Sequence, residues 1–200
     1  MDDAVRAGAL GPWFDELRAA LDGRGDTDVP CGDCTACCTS SQFVHIAPDE
    51  TDTLARIPKA LLFSAPMAPK GHVLLGYDEH GRCPMLVDNR CSIYEHRPRT
   101  CRVYDCRVFA ATGVAPDADK PAVAARAARW VFDAPTDADA TLAGALRAAA
   151  QFVGTDPDAQ GLAVNANRHA VLAVRLAEWF LVDPPDVDGA RVEIRTRMSR

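Results

Sequence analysis

The chain has 200 residues, 48% of them hydrophobic and 25% charged, which suits one folded domain, or one domain with a helical extension, and excludes a disordered or fibrous chain. Twenty-two basic residues against 28 acidic ones give a net charge of −6, which argues against generic binding to nucleic acid or to an anionic membrane, since both need clustered positive charge. The nearest thing to a membrane span, residues 170–182, is interrupted by Arg175 and Glu178, and Met1-Asp2-Asp3 begins no basic region followed by an apolar run, so no span and no export signal are expected and the expected location is cytoplasmic.

Trp13, Phe14, Leu17, Ala20 and Leu21 recur at helical spacing and predict an amphipathic helix over 12–22, stopped by Asp22-Gly23-Arg24-Gly25-Asp26. That Gly-x-Gly lacks a third glycine and follows a helix instead of a strand, so it reads as a linker and not as a phosphate loop. Short strands are predicted at 42–46, 72–77 and 82–87, separated by turn signals at Asp78-Glu79-His80-Gly81 and Asp88-Asn89-Arg90. Residues 49–57 read as a modest helix closed by Pro58, and 57–71, with three prolines, as a loop.

Composition then changes: 24 alanines fall in 107–200 against 11 in 1–106, and alanine has the highest helix propensity. One helix is predicted over 121–132. A second starts at a capping box of Thr136 and Asp139 and ends at Gly154, with Leu142, Leu146, Ala149 and Val153 as its stripe. A third covers 166–181, with Leu172, Leu176, Trp179 and Phe180 on one face and Pro184-Pro185 beyond it. Trp130 and Trp179 read as core anchors of this half. In 191–200, Val192 and Ile194 alternate with charges, which suits an edge strand or a loose tail.

The eight cysteines at 31, 34, 37, 38, 83, 91, 101 and 106 carry the chemistry. In a reducing compartment clustered thiols bind metal or do redox work rather than pair as disulfides. If Cys31-Gly32-Asp33-Cys34-Thr35-Ala36-Cys37-Cys38 were helical, its four thiols would share an arc of about 120°; as a ferredoxin-like loop, C-x2-C-x2-C supplies three ligands of a cubane cluster. Thiolates suit zinc, iron–sulfur clusters or cuprous copper. Cys37 beside Cys38 reads as a further ligand in preference to a reactive thiol. The second set forms no C-x2-C knuckle, which disfavours a zinc ribbon. If Val87 and Arg90 flank a two-residue turn, the pleat puts Cys83 and Cys91 on opposite faces, so either the hairpin is irregular or the two serve different metals. A helix starting at Pro98 has to end before Cys106 if Cys101 and Cys106 are both ligands. Eight thiolates satisfy two four-coordinate sites, or one cluster plus one structural ion.

Negative thiolate charge needs compensation, and residues 82–107 hold Arg82, Arg90, Arg97, Arg99, Arg102 and Arg107 against Asp88, Glu95 and Asp105. These arginines either bond sulfur and carbonyl groups around the metal or form an anion pocket beside it. Arg97, Arg99, Arg102 and Tyr94 are the candidate cofactor- or substrate-contacting residues. There is no His-Glu-x-x-His; His96, nearest the cysteines, reads as solvated or core in preference to a ligand.

The strings C-G-D-C-T-A-C-C and R-C-P-M-L-V-D-N-R-C-S-I-Y-E-H-R-P-R-T-C-R-V-Y-D-C resemble the YkgJ-type cysteine-cluster family, the CxxCxxCC zinc- or iron-chelating proteins often labelled as holding iron–sulfur clusters. The shared string is Ile93, Tyr94, Arg97, Pro98, Cys101 and Arg102, and the resemblance spans 31–107. It implies metal chelation by all eight cysteines. One branch, the flagellin lysine N-methylases, carries the same cluster and transfers a methyl group; this chain has no glycine-rich adenosylmethionine loop. The expectation is an α+β chain with an N-terminal helix and linker (1–30), a small irregular cysteine-rich metal-organised core with short β-hairpins (31–107) and an alanine-rich α-helical C-terminal region (108–200). Its expected activity is metal binding, as an iron–sulfur cluster (4Fe–4S) and/or zinc, with a metal ion as partner. The alternatives are an iron–sulfur-dependent redox or group-transfer enzyme and, third, an interaction module shaped by its metal.

Overall fold

A computed structural model describes residues 4–27, 29–66, 68–133 and 135–198. Along the chain run β1 (Val5–Gly8), α1 (Leu10–Leu21), β2 (Val44–Ile46), α2 (Thr51–Arg56), β3 (Leu62–Ser64), β4 (Val73–Leu75), β5 (Leu86–Val87), β6 (Arg90–Cys91), α3 (Arg99–Arg102), α4 (Arg107–Thr112), α5 (Pro121–Ala127), β7 (Trp130–Phe132), α6 (Asp137–Thr155), α7 (Pro157–Leu162), α8 (Ala166–Leu176) and α9 (Val187–Met198). The chain is α+β, with short strands interspersed in the first half and helices dominating the second.

The helical half forms for the reasons the sequence gives. At the start of α6 the Thr136 hydroxyl accepts the Asp139 N–H at 3.1 Å, while the Asp139 carboxylate accepts the Thr136 N–H at 3.1 Å. The other Asp139 oxygen accepts the Gly11 N–H at 3.0 Å, so one side chain caps α6 and pins α1 to it. Leu10, Trp13, Phe14 and Leu17 of α1 enter the same core as Phe109, Leu142, Leu146 and Val174. Ala149, Ala170 and Ala173 are fully buried, and their small side chains let α6 and α8 lie close together. Beyond α8 the chain tightens into a 3-10 turn at Ala177–Phe180.

Several predicted boundaries move. The helix expected over 121–132 stops at Ala127, and Trp130–Phe132 becomes β7, pairing in parallel with β1; Trp-Val-Phe prefers an extended, half-buried surface once a partner strand exists. The loop expected over 57–71 contains β3, which pairs antiparallel with β4 in a sheet ordered β2-β4-β3. The strand or tail expected over 191–200 is instead helical as far as Met198, and Arg200 lies outside the described residues. Two alternating residues carry little strand information, whereas Ala190 and Ile194, one helical turn apart, both bury against Val153, Leu172 and Leu176. Gly189 makes that docking possible: a Cβ there would stand 2.5 Å from the Trp179 ring. α7, which the alanine pattern did not single out, is opened by Asp156, whose carboxylate accepts the Asp158 and Ala159 N–H groups, with Pro157 next.

The first half has its own small core of Val44, Ile46, Ile57, Leu75, Met85 and Ile93. It meets the helices through a buried ion pair. Asp105 accepts Trp13 Nε1 at 2.9 Å and Arg107 Nη2 at 2.7 Å, and Arg107 Nη1 donates to the Ala7 carbonyl at 3.2 Å. With side chains 0% and 6% exposed, this pair joins α1, β1 and the last cysteine-bearing turn around one desolvated contact. Among the described residues no helix is long and apolar enough to cross a membrane.

Candidate metal centre

The segment 31–38 is neither an α-helix nor extended. Gly32 at φ +55° allows a tight turn in which the Cys34 N–H donates to the Cys31 carbonyl at 3.0 Å. A 3-10 turn at Cys37–Thr39 follows, held by the Ser40 hydroxyl on the Ala36 carbonyl at 2.6 Å and by Lys120 Nζ on the Ser40 carbonyl at 2.7 Å. The sulfurs of Cys37 and Cys38 stand 4.0 Å apart.

The second set is delivered by a hairpin that is regular only at its tip. Val87 pairs with Arg90 and Leu86 with Cys91, around Asp88 and Asn89 at φ +48° and +60°, the left-handed geometry of a two-residue turn. Extending the pleat to Cys83 would have put it on the face opposite Cys91. Instead the ladder ends at Leu86, whose N–H turns back to the Cys83 carbonyl at 2.9 Å, and the Cys83 N–H donates to the Cys38 carbonyl at 2.7 Å. Freed from the pleat, Cys83 packs with Cys91 and Cys101 on the Ile46–Leu75–Ile93 core. The hairpin is therefore irregular where the thiols need it to be. α3 ends at Arg102, well before Cys106, which begins α4 and whose sulfur accepts Trp130 Nε1 at 3.1 Å.

All eight cysteines are free and partly buried, and all eight line one cavity of about 750 Å³. Burial pushes the Cys101 thiol up to about 12, assisted by the sulfurs of Cys37, Cys83 and Cys91 and opposed by Arg97. Burial likewise lifts Cys31 to about 11, with Cys37 and Cys34 adding to it and Arg126 opposing. Cys106 rises to about 12 by burial, against the Trp130 hydrogen bond that lowers it. Cys37 is raised by its contact with the Cys38 sulfur and by burial, and Cys83 by burial. These are soft donors that oppose one another's ionisation at close quarters, and a bound cation reverses that opposition. The donor set therefore fits a thiophilic metal. Among the described residues no three His, Cys, Asp or Glu side chains stand grouped around a single ion position.

Of the predicted arginines, Arg97 lines the cavity beside Tyr94, with its guanidinium 3.7 Å from the Tyr94 ring centre and its Nε on the Tyr94 carbonyl at 3.0 Å. Tyr94 is 54% exposed. Arg99 and Arg102 lie outside the lining. Arg99 pairs with Asp49 at 3.0 Å, and Arg102 grips Asp26 at 2.9 Å while donating to the Arg97 carbonyl at 3.1 Å. The Thr27 N–H and hydroxyl both bind the Arg102 carbonyl, so this arginine staples the linker from α1 against α3. His96 offers its carbonyl to the Thr53 hydroxyl at 2.8 Å and lies outside the cavity lining.

Sequence reasoning missed Arg126 and Trp130, both contributed by the alanine-rich half. The Arg126 guanidinium lies 4.3 Å from the Trp130 ring centre and donates to the Pro30 carbonyl at 3.1 Å. Trp130 read only as a core anchor of the alanine-rich half, with a helix expected over 121–132. Only the turn of the chain into β7 shows that the indole N–H meets a sulfur.

Residues 30–122 match the family model described as "CxxCxxCC: Putative zinc- or iron-chelating domain". The match covers every cysteine and bears out the resemblance read from their spacing. No curated protein and no solved structure matches the chain.

Proposed function

We propose that this is a metal-binding protein whose eight cysteines chelate iron, as an iron–sulfur cluster, and/or zinc, within a metal-organised segment at 31–107 flanked by an N-terminal helix and a helical C-terminal region. The observation that carries the reading is the convergence of thiols from 31–38, 83, 91, 101 and 106 on one cavity. Free thiols in this number suit a reducing compartment.

Anaerobic purification with iron, zinc and sulfide analysis tests this. A brown protein with sulfur-to-iron absorption is expected, or a colourless one with stoichiometric zinc. Serine variants of Cys31, Cys34, Cys83 or Cys101 that keep full metal and full thermal stability would overturn it.

A second reading, redox or group-transfer catalysis, is favoured by one feature: Arg97 rests on the exposed Tyr94 ring at the cavity wall, where a guanidinium can take an anionic substrate. Arg99 and Arg102, each held by a carboxylate, would position that wall. A bound iron–sulfur cluster would supply one-electron or Lewis-acid chemistry there. Spectral perturbation of the holoprotein by a carboxylate or phosphate ligand, lost in Arg97→Gln, supports this reading. Coordination fully saturated by cysteine counts against it.

A further inference from the structure

The sheet β2-β4-β3 buries one face and leaves the other uncovered. Across the three strands Val44, Leu75 and Leu62 stand in register, and so do His45, Leu74 and Phe63. Side chains alternate along a strand, so the first row joins the Val44–Ile46–Leu75 core and the second faces away from it. Phe43, two residues before His45, continues the outer row. Phe43 and Phe63 are 55% and 44% exposed, and Tyr77, just past β4, is 40% exposed. Their rings nevertheless touch: Phe43 meets Phe63 edge-on at 5.9 Å and Tyr77 at 4.9 Å between ring centres. Gly76 makes the room, since a Cβ there would stand 3.3 Å from the Phe63 ring and 3.8 Å from that of Phe43. A single exposed apolar residue is ordinary, whereas a contiguous aromatic patch marks a contact surface.

The patch runs to an open edge. β3 has one neighbour, β4. The Ala65 N–H donates to the His72 carbonyl at 3.1 Å, so by alternation Phe63 bonds toward Leu74 while Leu62 and Ser64 turn their backbone groups outward. The Leu62 N–H closes on the Lys59 carbonyl, which leaves the Leu62 carbonyl and both Ser64 groups directed away from the sheet. Charge is one-sided here. From Ile57 to Tyr77 the sequence holds Lys59, Lys70 and His72 and no acidic residue, in a chain of net charge −6. Among the described residues neither lysine has a carboxylate partner. Asp49, beside His72, is held by Arg99 at 3.0 Å, and Asp78, next to Tyr77, accepts the His80 and Arg82 N–H groups.

We propose that this face and edge form a docking surface for an extended acidic segment of a partner protein, which adds to β3 as a fourth strand and lays apolar side chains on Phe63, Phe43 and Tyr77. Backbone pairing with Leu62 and Ser64 gives affinity, the aromatic patch takes alternate side chains, and the two lysines select for acid. A second copy of this chain is the poorer occupant. In two-fold antiparallel pairing of β3 with itself, Lys59, ahead of the strand, meets the Lys70 loop that follows it in the other copy, and like charges face one another. Phe43 also lines the cysteine cavity, so the docking face is continuous with the thiol-bearing site.

The test titrates the full chain with a synthetic peptide of alternating Glu and Val, followed by amide NMR. The Ser64 amide is expected to shift and to gain protection from exchange. Phe63→Ser should weaken binding about tenfold, the usual cost of truncating one interface aromatic. Ser64→Pro removes only an outward N–H, which an edge strand tolerates, and should abolish binding, while Ser64→Ala binds as the wild type does. Lys59→Glu with Lys70→Glu should transfer the preference to the Lys–Val counterpart. No binding, equal binding of the two peptides by the wild type, or full affinity in Ser64→Pro would overturn the proposal. So would adsorption to phosphatidylglycerol vesicles without a response to the peptide, which makes the face a lipid surface. A dimer in sedimentation equilibrium that Ser64→Pro dissociates would overturn it in favour of a second copy.

Discussion

Leu146 on α6 and Ile46 on β2 are both 0% exposed, but their surroundings differ in kind. Leu146 is enclosed by Trp13, Phe14, Leu17, Phe109 and Val174, drawn from several helices. Ile46 sits among a few apolar side chains, with Cys83, Cys91 and Cys101 packed beside them and the 750 Å³ cavity beyond. Protein interiors close to crystal-like density, and the helical half does so with hydrocarbon. The cysteine-bearing half leaves its centre to be filled by something else. The helical half is held by burial, the other half turns eight thiols toward one cavity, and the Asp105–Arg107 pair is where they meet.

The largest effect should come from removing the metal. Chelation under reducing conditions is expected to raise amide exchange across 83–106 by orders of magnitude while α6 and α8 stay protected, since structural thiolate sites contribute on the order of 10 kcal/mol of apparent binding free energy to folding. Loss of protection in α6 to the same degree would erase the distinction between the halves. Next is Asp105→Asn, which leaves the Arg107 charge buried without its carboxylate. Breaking such a pair costs about 3–5 kcal/mol, and thermal unfolding should then show two transitions where the wild type shows one.

Leu146→Ala should cost about 2–5 kcal/mol in denaturant unfolding without lowering metal content in the folded protein, because the side chain touches only the helical core. Gly189→Ala forces a methyl against Trp179 and should cost about 1–3 kcal/mol, read as a lower melting temperature with unchanged metal. The smallest effect concerns pH. The Thr136 hydroxyl, the Thr136 N–H and the Gly11 N–H hold the Asp139 carboxyl below its ordinary value of 3.8. A depressed carboxylate contributes stability above its unfolded value and loses it as pH falls through the folded one. Asp139→Asn should therefore lower stability slightly at neutral pH and flatten the acid limb, with little difference once pH falls below the folded value, read as thermal unfolding against pH.

Where local chemistry decides structure, the chain announced it. The capping box at Thr136 and Asp139, the stripe of α1, the left-handed turn at Asp88 and Asn89 and the end of α3 before Cys106 all depend on neighbours within a few residues. The errors fall where a distant partner decides. β3 exists because β4 pairs with it, β7 because β1 does, and α9 because Val153, Leu172 and Leu176 offer a surface to Ala190 and Ile194. Arg99 and Arg102 were indistinguishable from Arg97 until Asp49 and Asp26 came to hold them.

The sequence by itself determined the donor chemistry and its amount: eight sulfurs and the spacing that the matching family model shares. Only the tertiary structure decided that these sulfurs share one cavity, that the hairpin breaks its pleat to turn Cys83 inward, and that Trp130 from the alanine-rich half reaches Cys106. Residue type sets what a side chain can bind, whereas the direction it faces depends on contacts made across scores of residues, and spacing along the chain does not encode those.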